Sequence, residues 1–438
     1  MKRVWWGIGI VLILAGVALG VIAGHQKPPA DPFLAGEALV QFESTVTEER
    51  AAHLIAQAGA TIKERIAPQG IYVVAFSKSI APQQIIARFQ QMPEVAHAEP
   101  NGLYEPMGGV DWWMASEAWA EETTGTLGAG AKVTVAVIDT AIDATHPALA
   151  GKVTTGYNVL DSTTNTQSSG IGQDWHGTAS SGRVLDGAGD ANVEIMPIQV
   201  FGTSGGATWS TIIKAINYAV DNGAQVINMS LGGMVGSPLV QQAIDRAVEK
   251  GIVVVASAGN HGTQQPAYPA SMNGVISVAA TNEGGRKASF SAYGSTVDIS
   301  APGDTMRLLS HGGYRTARGT SFSAPFITGM LAMLKSAFPF LTAAQCEEVM
   351  KARANDIDAK NPGLQGTLGA GLLNTLDVKA WMAEIRAGTF TFPWGAAPVA
   401  PPIQRPPVPV PAPQPWLVRG RGHDGNYVVT PGGELVRE

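Results

Sequence analysis

Between residues 107 and 386 the chain alternates short runs that are apolar on both faces with longer runs that are apolar on one. KVTVAVID, VEIMPIQVF, AQVINMSL, IVVVASA and GVISVAA are the short runs. A strand with no polar face has no side to turn to water, so it belongs in a parallel sheet covered on both sides. TWSTIIKAINYAVDNG and PLVQQAIDRAVEKG carry apolar residues at helical spacing and end at Gly223 and Gly251, the residue type that most often closes a helix. This alternation specifies an α/β fold, a doubly wound and mostly parallel sheet. At 45% hydrophobic and 15% charged residues, 438 residues suffice for a large packed core. Ligands of such sheets bind beyond the carboxyl ends of the strands. Asp139 and Asn260 stand at two such ends, and Ser230 close to a third.

Around those ends the chain carries an acid, an imidazole and a hydroxyl. Asp139 closes VAVID, His176 lies in DWHGTASSG and Ser321 in RGTSFSAP. A hydroxyl is a weak nucleophile until a base takes its proton, and histidine exchanges protons near neutral pH without large tuning. A carboxylate at the end of a buried strand is costly unless it accepts strong hydrogen bonds, and orienting an imidazole satisfies it. Asp…His…Ser is one of three unrelated chain orders that build the same triad. Ser321 opens a long apolar segment, so it stands at a helix N-terminus, where free N–H groups favour negative charge. Asn260, ending ASAGN, offers an amide N–H to a developing oxyanion. Each motif alone has a plainer reading: a helix cap for Ser321, a satisfied polar residue for Asp139 or His176, a Gly-Asn turn for Asn260. Their joint occurrence favours catalysis.

The remaining segments set the context. Net charge is −6 and no Lys/Arg run exists to neutralise phosphates, so a nucleic-acid role is excluded. A lone cysteine, Cys346, forbids an internal disulfide and reads as an inert packed residue. Met1-Lys2-Arg3 followed by an uncharged stretch from Val4 to Gly24 marks export, either as a signal peptide cleaved after Ala23 or as an uncleaved membrane anchor. The chain beyond it is expected outside the cytoplasm. Residues 25–36 read as a spacer. Residues 37–106 read as a small α+β unit in which two helices cover an antiparallel sheet, built from EALVQFE, IYVVAF and EVAHAEPN; the layout is ferredoxin-like. After residue 386 prolines crowd the chain from Pro393 to Pro415, which reads as an extended spacer or a ligand for a proline-binding module. Residues from Leu417 onward are too few to fold alone.

Taken together, DTAIDATHPAL, WHGTASSG, VINMSLGG, ASAGN, ASFSAYGSTVDISAPG and GTSFSAP resemble, in order and rough spacing, the subtilisin-like serine proteases. The resemblance covers residues 37–386. It implies that Asp139 orients His176, that His176 is base and then acid, that Ser321 attacks and that Asn260 helps bind the oxyanion. It implies that Ser230-Leu231-Gly232 pairs with substrate backbone and that Gly205-Gly206 forms the opposite wall of the cleft. Residues 37–104 resemble the family's inhibitory propeptide, which assists folding and blocks the cleft until cut off, here between Gly102 and Gly109 by the enzyme itself. The substrates implied are proteins or peptides, with large apolar side chains preferred. No cofactor is required for the chemistry, and no metal ligand is assigned. His97, in the propeptide, is given no chemical role.

Several positions depart from the family pattern. Ala141 stands where Gly is usual after the acid, Ala179 where a second His follows HGT, Phe322 where Met is common and Phe326 where His is usual. Ala148 replaces a calcium-binding Asp of many relatives, so that calcium site is expected to be absent, while Asp186 and Asp190 offer carboxylates for a different one. A non-catalytic relative acting as a binding or scaffold protein is the competing reading. Its only support is Ala141 and Phe326, since all four catalytic side chains are present.

Overall fold

The computed structural model describes residues 32–106, 130–169, 175–202 and 206–395, together with the backbone of three short strands nearer the C-terminus. The expected export segment 4–24, most of the spacer and the proline-rich stretch after Gly395 lie outside the described residues. Among the described residues no helix is long and apolar enough to cross a membrane.

The N-terminal unit runs β1 (Phe33–Phe42), α1 (Glu48–Gln57), β2 (Thr61–Ile66), β3 (Ile71–Ala75), α2 (Pro82–Gln90) and β4 (Val95–Pro106). The sheet order is β4-β1-β3-β2 with antiparallel neighbours, a ferredoxin-like arrangement. Strand β1 begins inside the stretch read as a spacer, and β2 was not anticipated. Its sequence TIKERI is largely exposed and carries Lys63, Glu64 and Arg65, as an edge strand that resists further pairing should. Period-two alternation gives the sheet two buried faces. Ala38, Val40 and Val74 pack under α1 and α2 with Leu54, Ile85 and Phe89. Leu39, Ile71 and Val73 face the other way, into the core of the larger domain.

That domain continues with β5 (Val133–Asp139), β6 (Tyr157–Asn158), α3 (His176–Ala188), β7 (Val193–Gln199), β8 (Ala207–Thr208), α4 (Trp209–Asp221), β9 (Val226–Met229), β10 (Leu231–Gly232), α5 (Pro238–Glu249), β11 (Val253–Ser257), β12 (Val275–Thr281), β13 (Ile299–Pro302), the hairpin β14 (Met306–Ser310) and β15 (Gly313–Ala317), α6 (Thr320–Ala337), α7 (Ala343–Ala352) and α8 (Thr375–Ala387). A seven-stranded sheet has the order β13-β12-β11-β9-β5-β7-β6, parallel throughout. The five apolar runs are β5, β7, β9, β11 and β12, and the two periodic runs are α4 and α5. One face of the sheet packs on α4 and α5, the other on α3, α6, α7 and α8. The doubly wound sheet read from sequence is therefore present.

Helices α3 and α6, which carry His176 and Ser321, touch through glycine. A Cβ on Gly187 would lie 2.0 Å from the Phe326 carbonyl, and one on Gly329 would lie 2.0 Å from the Val184 carbonyl. Backbone on the far side cannot yield, so a methyl must force the helices apart. Gly329→Ala is expected to cost about 3 kcal/mol of stability. Denaturant unfolding in a Ser321→Ala background measures it, and an unchanged midpoint would contradict so close an approach.

Cys346 is buried in the core beside α6, and burial pushes its thiol up to about 12, against a smaller opposing effect of Lys335. Both features fit the packed, unreactive residue read from the sequence. In the tail, the backbone forms an antiparallel three-stranded sheet of β16 (Gly420–Gly422), β17 (Gly425–Val429) and β18 (Leu435–Arg437).

Candidate active site

Asp139, the last residue of β5, is 1% exposed, and His176 and Ser321 are fully buried. The His176 Nδ1 lies 2.7 Å from the Asp139 Oδ1. The Thr140 N–H donates to the same oxygen at 2.6 Å, and the Ser180 hydroxyl donates to Oδ2 at 2.9 Å. The imidazole is flanked by Trp175 and Phe322, with ring centroids 5.8 and 5.4 Å away. Its Nε2 is buried and has no hydrogen-bond partner among the described residues. The Ser321 hydroxyl instead donates to the Ser230 carbonyl at 3.2 Å. Of the two links expected in the acid–imidazole–hydroxyl chain, the structure closes the first and leaves the second open. Such bonds often tighten only with substrate in place.

Ser321 is the second residue of α6, entered through Gly319 at φ 158°. Pro325, four residues on, has no N–H to give to the Ser321 carbonyl. The Ser230 hydroxyl supplies that donor at 2.9 Å, so Ser230 and Ser321 exchange two hydrogen bonds. Asn228 donates to the Ser230 hydroxyl at 3.0 Å and accepts from Thr328 at 3.1 Å, tying the arrangement back to α6. Sequence reasoning missed Asn228, Thr328 and Ser180; the first lies inside VINMSLGG, where its alternation with core residues was the available signal.

Asn260 follows β11 by three residues. Its Oδ1 accepts from both the N–H and the hydroxyl of Thr320, each at 2.9 Å. This fixes the plane of the amide beside the residue that precedes Ser321. Ala141 is buried and stays out of the positive-φ region, so the missing glycine imposes no strain there. The loop beyond it is held by Asp143. Burial opposes ionisation of Asp143, but hydrogen bonds from Thr145, Gly312 and Gln167 outweigh it and hold the carboxyl below its ordinary range. Asp186 pairs with Arg183 and Asp190 with Arg386. Among the described residues no group of three or more His, Cys, Asp or Glu is arranged to hold a metal ion.

The C-terminal half of β4 lies between β8 and β10. Gly232 pairs with Glu105 and Leu231 with Pro106 on one side; Thr208 pairs with Leu103 and Ala207 with Tyr104 on the other. Leu231 and Gly232 are thus a strand-pairing edge, and Ser230 beside them holds the Ser321 hydroxyl. On its other side β4 pairs with Ala207 and Thr208, and Gly206 just before them lies against the same strand: a Cβ there would meet the Tyr104 carbonyl at 2.8 Å. Gly205 lies outside the described residues. The Tyr104 side chain is fully buried against Trp209. Polar contacts fasten the same strand to the helix starts. The Ser237 hydroxyl, which caps α5, donates to buried Glu99, and Asn101 exchanges hydrogen bonds with Ser210 in the first turn of α4. His97 does no more than contact Glu99, at 3.1 Å.

Comparisons with known proteins agree with this geometry. Residues 130–371 match the family model of the subtilase family, and residues 22–101 match that of the fervidolysin N-terminal prodomain. The chain is 40% identical to thermitase of Thermoactinomyces vulgaris over 48% of its own length and 76% of thermitase. It is 32% identical to a thermophilic serine proteinase of Bacillus sp. (strain AK1) over 71% of its own length and 80% of the relative. The crystal structure of fervidolysin from Fervidobacterium pennivorans superposes with a TM-score of 0.64 at 24% identity, covering 79% of this chain and 61% of that one. That likeness speaks to the fold alone.

Proposed function

Because the chain belongs to the subtilase family, and is a subtilisin-like serine endopeptidase made with an N-terminal propeptide, we propose that Asp139, His176, Ser321 and Asn260 carry out its chemistry. The observation that carries this assignment is the buried Asp139–His176 pair, with its Nε2 unpartnered, at the end of the cleft that the propeptide strand occupies. In the reaction the Ser321 hydroxyl leaves the Ser230 carbonyl and attacks the peptide carbonyl carbon while Nε2 takes its proton. The oxyanion meets the Ser321 N–H and the Asn260 amide. The imidazolium, held by Asp139, protonates the leaving amine, and water then repeats the sequence on the acyl-enzyme. A fluorophosphonate probe tests the assignment: the mature protein should be labelled, and an unlabelled, correctly processed protein would overturn it.

Substrate peptides are taken to pair with Leu231 and Gly232 as β4 does, by strand addition at a sheet edge. In a peptide bound with the count that sets Pro106 against Leu231, the following residue would fall against Ser230, whose carbonyl holds the Ser321 hydroxyl. Self-cleavage is therefore expected between Met107 and Gly108, which agrees with a preference for large apolar side chains. N-terminal sequencing of the mature form should read Gly-Gly-Val-Asp, and a start at or before Pro106 would break the register argument. The apolar stretch Val4–Gly24 supports export out of the cytoplasm, with membrane attachment only if that stretch stays uncleaved.

A further inference from the structure

We propose that Ser180 is a positioning residue for catalysis, acting through Asp139; this rests on the catalytic assignment above. The Asp139 carboxylate is almost wholly withdrawn from water. A buried carboxylate needs donors on both oxygens, because each unmet lone pair keeps its desolvation cost. Oδ1 faces the His176 Nδ1 and receives the Thr140 N–H; the donor on Oδ2 is the Ser180 hydroxyl. His176 and Ser180 are four residues apart on α3, so their side chains lie one above the other on one helix face. The carboxylate therefore straddles two side chains of a single rigid helix. Turning it about its Cβ–Cγ bond, which would swing Oδ1 away from the imidazole, must break the Ser180 bond.

The neighbouring serine shows that this use of the hydroxyl is specific. Ser181 gives its hydroxyl to the Gly177 carbonyl at 2.7 Å, the ordinary back-bond of a helical serine. Ser180, equally buried, gives its own to Asp139 instead. The start of α3 is already tied to the loop after Asp139 at two other points: the Gly177 N–H donates to the Thr140 hydroxyl and the Asp143 N–H to the Thr178 hydroxyl, both at 2.8 Å. Those bonds fix the helix. The Ser180 bond fixes the carboxylate itself and draws off part of its charge.

Few other charges face the pair among the described residues. Arg183 on α3 is engaged by Asp186 and by the Phe322 carbonyl on α6. Arg315 of β15 lies over the Trp175 ring, 4.2 Å from its centroid. Asp143, beyond β5, is turned to Thr145 and Gly312, with His311 of the β14–β15 turn 3.5 Å away. None of these replaces a hydroxyl on Oδ2.

The test compares mature Ser180→Ala, Ser180→Val and Ser180→Thr with the parent on one peptide amide. Alanine and valine should lower kcat about tenfold with KM within twofold, and should move the acid limb of the pH–activity profile to higher pH. Threonine, which restores the hydroxyl, should return kcat to within threefold of the parent. Should a variant mature poorly, its rate of fluorophosphonate labelling gives the same comparison on small amounts. The proposal is overturned if alanine and valine leave kcat and the profile unmoved, or if valine rescues as well as threonine, which would make shape the cause. A labelled, active parent with silent substitutions defeats this inference alone; an unlabelled parent defeats the catalytic assignment and this with it.

Discussion

Ser321→Ala is expected to accumulate as an uncut chain that keeps its propeptide, and to take up no fluorophosphonate. The substitution removes the hydroxyl proposed for acyl transfer, which lies on the Ser230 carbonyl beside the strand that β4 pairs with. The loss should be on the order of 10⁶-fold in kcat, the scale of the subtilisin triad to which this chain is related. The fold should survive. The Ser230 hydroxyl bonds the Ser321 main-chain carbonyl, which alanine keeps, and only the 3.2 Å side-chain bond is lost. Expression in a host stripped of its own proteases, with mass measurement of the product, reads the result. A Ser321→Ala protein that matures normally there would mean that another protease makes the cut.

Asp139→Asn is the second large effect, a fall in kcat of about 10⁴-fold with the structure retained. An amide in place of the carboxylate still accepts at one end. Its NH2 end, however, must face either the Ser180 hydroxyl or the crowd of donors at Oδ1, where the Thr140 N–H and His176 already lie. In the second case the amide donates to Nδ1 and forces the imidazole into the tautomer that carries its proton on Nε2, unable to accept from Ser321. The check is steady-state kinetics beside a thermal melt. A rate within tenfold of the parent would remove Asp139 from the mechanism, and a lost transition would show a structural role instead.

Much of the fold was legible because it is written locally. The five doubly apolar runs became adjacent parallel strands, and the two periodic runs became helices on one face. The charged edge strand β2 escaped because Lys63, Glu64 and Arg65 hide its pleat from a pattern that looks for apolar alternation. The short strand β8 escaped for another reason: two residues have no period, and it pairs only because β4 lies beside it, while β10 was read through resemblance alone. Gly206, placed on the cleft wall by resemblance, directly precedes β8 and lies against the Tyr104 carbonyl, while Gly205 is outside the described residues.

The sequence by itself determined the sheet class and the propeptide, and singled out Asp139, His176 and Ser321 as the proposed acid, imidazole and nucleophile, since each rests on residue type and near neighbours. Tertiary structure alone decided who serves them. Ser180 and Ser181 are indistinguishable in the string ASSG, yet one hydroxyl turns to Asp139 and the other to its own helix. Ser230 fills the donor that Pro325 withholds from Ser321, across more than ninety positions of chain. A hydrogen bond between distant segments depends on where the sheet and helices set their backbones, to within a few tenths of an ångström, and no local period carries that distance.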